Sequence, residues 1–122
     1  MNESKQYRPL DFVGSSQEDL RAFPEDVKYD IGYALFQVQK CGKPMSAKPL
    51  KGFGSAGVLE IIEKHSSGTY RAVYTVRFEK AVYVLHCFQK KSKKGIQTPK
   101  QDINLIWRRL KSAEEDYKIH YQ

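Results

Sequence analysis

The apolar positions of this chain change period three times, running strand-like, helical, strand-like and helical again. "YRPLDFVG" (7–14) reads as a strand. Pro9 restricts it to a sheet edge or to the first residues of the strand, because proline brings no N–H to the ladder. Gly14 ends it. "SSQEDLRAF" (15–23) opens with serines suited to capping and places acids in the first turn, where the helix dipole favours them. Pro24 restarts the helix, and from there to about Lys40 the residues Val27, Ile31, Ala34, Leu35 and Val38 recur at helical spacing until Gly42 supplies the stop. Two consecutive helices, an αα-hairpin, are predicted.

"CGKPMSAKPLKGFGSAG" (41–57) concentrates glycine, proline and serine and reads as a connecting loop carrying Lys43, Lys48 and Lys51. After it, "VLEIIEKH", "TYRAVYTVRF" and "KAVYVLHCF" are rich in β-branched and aromatic residues, split by "SSG" and "EK". That pattern predicts an antiparallel meander of three strands with tight turns. Alternation along 69–78 puts Thr69, Arg71, Val73, Thr75 and Arg77 on one face and Tyr70, Ala72, Tyr74, Val76 and Phe78 on the other. The first face is the one with charge to offer a ligand. In the last segment, Thr98 as N-cap, Pro99 at the first helical position and Gln101 three residues after the cap form a capping-box pattern. Ile103, Ile106, Leu110, Ala113 and Tyr117 then make the apolar stripe of a helix that packs on the sheet. The predicted order is β-α-α-β-β-β-α, one α+β domain over residues 1–122, with helices on one face of a small, mostly antiparallel sheet.

Composition agrees with a single modest core: the chain has 122 residues, of which 40% are hydrophobic. The longest apolar runs, "AVYVLHC" and "YALF", fall far short of the roughly 20 residues that span a bilayer. "MNESKQYRPL" has no signal-peptide core, so a cytoplasmic protein without a membrane partner is expected. Cys41 and Cys87 stand outside any CxxC or Cys/His cluster, so buried thiols are expected, with neither a disulfide nor a structural zinc. Charge changes the picture more. With 21 Lys+Arg against 14 Asp+Glu the net charge is +7 and the pI near 9.4, which favours a polyanionic partner.

Most enzyme chemistries fit poorly. His65, His86 and His120 are far apart and none has a second ligand at metal spacing, so no metal and no cofactor are expected. His86 and Cys87 are adjacent, yet neighbours on a strand point to opposite faces and cannot form a nucleophile–base contact. "GFGSAG" lacks the Lys-Ser/Thr ending of a phosphate loop and opens a strand, so it is a turn. "FQKKSKKGIQTPK" (88–100) is different, because it holds five lysines and no acid. A solvated surface turn is the plain account of such a run. Against it, Lys90, Lys91, Lys93 and Lys94 follow a central-looking strand, precede a well-marked helix and share the sheet region with Arg71 and Arg77. Mutual repulsion on that scale is relieved by an anion, and a phosphodiester backbone suits a cradle built from a strand face and a basic loop. Phe88 either stacks a base there or belongs to the core. Such a cradle can also cut RNA without a metal: a base takes the ribose 2′-hydroxyl proton, the oxygen attacks phosphorus, and cations stabilise the charge that develops. A lysine among other cations has its pKa lowered and can serve as that base.

The segments "AKPLKGFGSAGVLEI", "TYRAVYTVRF" and "VYVLHCFQKKSKKGIQTPKQDI" resemble the phage-derived, HigB-like branch of the RelE/ParE toxin superfamily, from about Tyr7 to Tyr117. The resemblance implies a small twisted sheet with two N-terminal helices and a C-terminal helix. It also implies the toxin of a type II toxin–antitoxin pair: a ribosome-associated endoribonuclease that cleaves mRNA and is neutralised by a helix-turn-helix, HigA-like antitoxin. By position, Arg71 matches the family's central-strand arginine, expected at the scissile phosphate. Lys90 and Lys91 match the basic pair after the last strand, expected in phosphate stabilisation or proton transfer. Lys94, Thr98 and Pro99 complete the branch's pattern, with Thr98 structural as a cap. Arg71, Lys90, Lys91 and Lys94 are thus the expected catalytic set, and Lys48, Lys51, Arg77, Phe88 and Lys93 the expected RNA contacts. Two departures stand out. Glu60 and Glu63 occupy a strand where RelE proper has two lysines, and 88–100 has neither tyrosine nor histidine. The acid/base pair therefore does not transfer: either a lysine replaces it, Tyr74 or His86 contributes from the sheet, or cleavage is weak. ParE-type relatives share the fold but bind gyrase, so a non-nuclease toxin or an inactive RNA-binding relative is the alternative.

Overall fold

The structure, a computed structural model, describes residues 7–90 and 98–122. Its elements are β1 (Leu10–Phe12), α1 (Ser16–Arg21), α2 (Glu25–Gln39), β2 (Ala47–Pro49), β3 (Val58–His65), β4 (Gly68–Thr75), β5 (Val82–Lys90) and α3 (Lys100–Tyr121). The expected order holds with one addition. β2 lies inside the segment read as a loop, where it pairs antiparallel with β3 in the register Lys48↔Glu60. Three residues with a proline among them carry no periodicity, and the pairing comes from β3 offering an open edge. The sheet order is β1-β5-β4-β3-β2. Pro9 does precede an edge strand, and β1 runs parallel to β5 while all the other pairings are antiparallel.

Helices cover both faces of this sheet, not one. Leu20 of α1 and Val27, Ile31, Ala34, Leu35 and Val38 of α2 pack with Tyr70, Ala72, Tyr74, Val82 and Val84. On the other side Ile106, Leu110, Ala113 and Tyr117 of α3 pack with Val58, Val73, Tyr83 and Leu85. β4 and β5 are consequently buried on both faces, which explains their apolar runs. The face of β4 expected to offer charge is largely covered: Val73 and Thr75 are fully buried under the α3 side.

β5 does not keep strict alternation. Val73 pairs with His86 but Tyr74 pairs with Val84, so Leu85 is an extra residue, a β-bulge. Val82 and Val84 face α1 and α2, whereas Leu85 faces α3, and His86 beside it also reaches α3. The bulge therefore exchanges the faces of everything after it. Its free carbonyl is met by α3, since Arg109 Nη1 donates to Leu85 O at 2.9 Å and Nη2 donates to Ser15 Oγ at 3.2 Å. Gly14 makes room for this arginine: it has φ 58°, and a Cβ there would stand 2.9 Å from the guanidinium.

The caps differ from the sequence pattern. Ser15 is the N-cap of α1 but makes no side-chain capping bond, and its Oγ donates to Asp19 Oδ2 at 2.9 Å. At α3 the N-cap is Pro99, one residue later than expected, with ψ 149° and no side-chain capping bond. The Pro99 carbonyl accepts the first helical hydrogen bond, from Ile103 N at 3.0 Å. Cys41 is exposed at the end of α2 with φ 67°, contrary to the expected buried thiol. Cys87 is buried, and that burial pushes its thiol up to about 12. Among the described residues no helix is long and apolar enough to cross a membrane.

Removing the donor at the bulge tests its role. Arg109→Met leaves the buried Leu85 carbonyl unsatisfied and is expected to cost about 1–3 kcal/mol in urea denaturation, with little change in helical circular dichroism.

Candidate functional site

Past the bulge, the α3 side of the sheet changes from apolar to polar. His86, Phe88 and Lys90 of β5 alternate onto it, opposite Val73, Arg71 and Thr69 of β4. Glu60 of β3 and Lys48 of β2 lie in register with Val73. Lys90 is the last residue of the strand and is buried, so the strand does not end at Phe88 as expected.

Arg71 and Glu60 form a buried ion pair. Arg71 Nη1 donates to Glu60 Oε1 at 2.7 Å, and the two residues are only 5% and 4% exposed. Arg71 Nε is also buried and has no hydrogen-bond partner among the described residues. A guanidinium so deep in the sheet requires a carboxylate, because removing its charge from water costs several kcal/mol unless it is paired. This gives Glu60 its place: it compensates the arginine from the neighbouring strand. Lys90 sits within the same field. Burial first, and then the Arg71 guanidinium, pushes its ammonium pKa below the usual lysine value, while Glu60 acts in the opposite direction.

His86 and Asp102, which no spacing in the sequence links, meet here. His86 Nε2 lies 2.8 Å from Asp102 Oδ1 in the first turn of α3, and the imidazole stacks on Phe88 at 4.6 Å between ring centroids. Phe88 is thus half-buried against a neighbouring ring instead of turned fully outward. Only the bulge brings His86 to α3, and no glycine or break in "YVLHCF" marks it. Tyr74 is unavailable for chemistry. It is 1% exposed in the core on the α2 side, where burial pushes its hydroxyl up to about 12.

Beside the ion pair a groove of about 560 Å³ runs between β2 and the start of α3, with Lys48, Lys51, Glu60, Thr98 and Ile103 among its walls. Lys48 and Lys51 are exposed along it, and Thr98 is a wall residue, not the N-cap. Arg77 is not part of this assembly. It lies beyond the other end of β4, roughly 20 Å along the strand from Arg71 at about 3.3 Å per residue, and pairs with Glu114 of α3 at 3.5 Å. Lys91, Lys93 and Lys94 lie outside the described residues. The structure therefore brings together Arg71, Lys90 and Phe88, with Lys48 and Lys51 on the adjoining groove. Among the described residues no three potential metal ligands converge.

A family model described as phage derived protein Gp49-like (DUF891) matches residues 18–111, the stretch that carries Arg71, Lys90 and the groove. The fold is similar to that of a mutant of the E. coli toxin RelE in its free state, with a TM-score of 0.53 and 18% identity over 88% of this chain and 97% of that one. This agrees with the RelE-like fold expected. A chain of the RelBE2 toxin–antitoxin complex from Mycobacterium tuberculosis is similar with a TM-score of 0.49 and 20% identity, over 75% of this chain and 100% of that one. No curated protein sequence matches the chain.

The ion pair and the lysine make separable predictions. Glu60→Ala strands the Arg71 charge and is expected to cost about 3–5 kcal/mol in urea unfolding, whereas Glu60→Leu combined with Arg71→Met recovers most of that loss. For Lys90 the folded pKa is the lower one, below 10.5. Between that depressed value and 10.5 the unfolded chain binds more protons, so this residue makes stability rise with pH. Wild type is therefore expected to gain stability relative to Lys90→Met as the pH is raised from neutral through that window, read from urea midpoints.

Proposed function

The chain belongs to the phage-derived Gp49-like family, and from that membership, its RelE-like fold and its cation cluster we propose that it is the toxin of a toxin–antitoxin pair. The toxin acts as a metal-independent endoribonuclease on mRNA, in the manner its HigB-like sequence pattern implies. The carrying observation is the juxtaposition of Lys90 with the Arg71–Glu60 pair on one strand-end face, where burial and a neighbouring guanidinium lower the ammonium's pKa. A lowered pKa makes more of the neutral amine available near neutral pH, which is what a general base requires.

In this reading Lys90 takes the 2′-hydroxyl proton, the ribose oxygen bonds to phosphorus, and the bond to the 5′-oxygen breaks as that oxygen takes a proton from solvent water. The products are a 2′,3′-cyclic phosphate and a free 5′-hydroxyl end. Arg71 stabilises the negative charge gained by the phosphoryl oxygens, its spare N–H groups being oriented by Glu60. Lys48 and Lys51 hold the flanking backbone along the groove, and Phe88, backed by the His86 ring, offers an edge or face to a base. Lys91, Lys93 and Lys94 follow Lys90 directly and extend the positive charge available to RNA. Arg77 is left out of this assignment because it stands at the far end of the strand. The neutralising partner is a helix-turn-helix antitoxin, and the site of action is the translating ribosome.

Induced expression tests the reading. RNA from arrested cells is expected to show mRNA cleavage that the purified protein reproduces with chelator present. Neutralising Lys90 and Lys91 together is expected to lower cleavage by about 10²–10³-fold and to abolish growth arrest, with the fold retained by circular dichroism. Full cleavage by that variant overturns the assigned role. Growth arrest with altered DNA supercoiling and intact mRNA assigns the protein to the gyrase-directed type instead.

A further inference from the structure

α2 is apolar on the side where a surface helix is normally polar. Its core-facing stripe is used up by Val27, Ile31, Ala34, Leu35 and Val38, all buried. At about 100° per residue, Tyr29, Tyr33 and Phe36 fall within an arc of roughly 60° on the opposite side, and Lys40 continues the row. These three rings are 74%, 56% and 40% exposed. Tyr7 adds a fourth, tilted against Phe36 at 5.3 Å between centroids, so the patch is continuous. A helix apolar on both sides is matched to a second partner, and a contiguous exposed patch marks where it docks.

Gly32 lies beside this row in mid-helix, where glycine costs about 0.5–1 kcal/mol relative to alanine. A Cβ added there meets nothing within 4 Å, so no contact inside the described chain requires its absence. Without a side chain, it leaves the helix backbone open to close approach at this point.

The charges indicate what approaches. The chain carries +7 overall, which opposes self-association through most of its surface, but this helix has Glu25 and Asp26 in its first turn and Lys40 at its C-cap; within one chain Glu25 meets Lys28 at 3.0 Å and the Lys40 ammonium lies 4.7 Å from the Phe36 ring centroid, both at the solvent-facing surface. A twofold axis passing between Gly32 and Tyr33 lays two copies of α2 antiparallel. It then sets Tyr29 of each copy against Phe36 of the other, Tyr33 against Gly32, and Glu25 against Lys40. Each of these three pairings is made twice by the same residues, as an isologous contact requires. The lysine-lined groove lies on the opposite side of the sheet, under α3, so both copies keep it open.

We propose that the outer face of α2 is a self-association surface on which two copies of this chain pair antiparallel through Tyr29, Tyr33 and Phe36, closely at Gly32, with Glu25 of each meeting Lys40 of the other. Sedimentation velocity over a dilution series in the micromolar range tests it. Wild type is expected to shift from monomer to dimer as concentration rises, and Tyr33→Asp to stay monomeric with unchanged circular dichroism. Glu25→Lys and Lys40→Glu are each expected to weaken association about 10-fold, because each places like charges at both ends of the pair. Mixed in equal amounts, these two variants are expected to associate again, since each then meets the opposite charge. Wild type that remains monomeric throughout overturns the proposal and leaves the face to a partner of different sequence. A dimer that survives Tyr33→Asp, or a mixture that fails to reassociate, overturns it equally.

Discussion

The placement of one unpaired residue, Leu85, sets which side chains of β5 share the α3 side of the sheet. In a strand the side chains alternate, so adding one residue reverses the assignment of all that follow. Without it, Val82, Val84, His86, Phe88 and Lys90 would share the α2 side. With it, the two valines fill that core while the last three come round to the α3 side, where Arg71 and Glu60 already point. The molecule secures this register from both layers. Val84 O accepts from Val13 N and from Ser16 Oγ, and Leu85 O accepts from Arg109. Two successive carbonyls are thus held by the N-terminal loop and helix on one hand and by α3 on the other, which makes slippage of β5 costly.

The end of the sheet beyond the bulge is where opposite physical demands meet. Stability favours apolar residues on a strand buried on both faces, yet β4 and β5 carry Arg71, His86 and Lys90 there, all under 9% exposed. Each is accommodated differently. Arg71 has Glu60, His86 has Asp102 and a stacked Phe88, and Lys90 has its charged form disfavoured by burial. A buried ion pair contributes less to stability than well-packed apolar residues of similar volume. These polar groups are therefore a cost that packing elsewhere offsets, through the two apolar layers on either side of β4 and β5.

Much of this was legible in the sequence, and what was not has definite physical causes. Helical spacing in 24–40 identified the five residues that α2 buries, and the apolar stripe of α3 was read correctly from Ile106 to Tyr117. The opposition of His86 and Cys87 was also correct, because the bulge lies just before them. β2 was missed because three residues containing a proline have no period of their own. The two-sided covering of the sheet was missed because apolar runs in β4 and β5 fit either one helix layer or two. Capping was misplaced at Thr98 because a serine or threonine before a helix states only a propensity, and here Pro99 takes the position. Glu60 departs from a family pattern, and its meaning comes only from register, which sets it opposite Val73 and diagonally across from Arg71.

That register also resolves why so much positive charge is tolerated at one end of the chain's sheet. Repulsion between Arg71 and Lys90 is not simply endured, since Glu60 acts on both and the lysine's proton is the more easily released. Burial and the neighbouring guanidinium both act on the amine, disfavouring its charged form. An arginine clamped by a carboxylate thus lies close to one buried lysine whose charged form burial disfavours, with the three residues contributed by three adjacent strands.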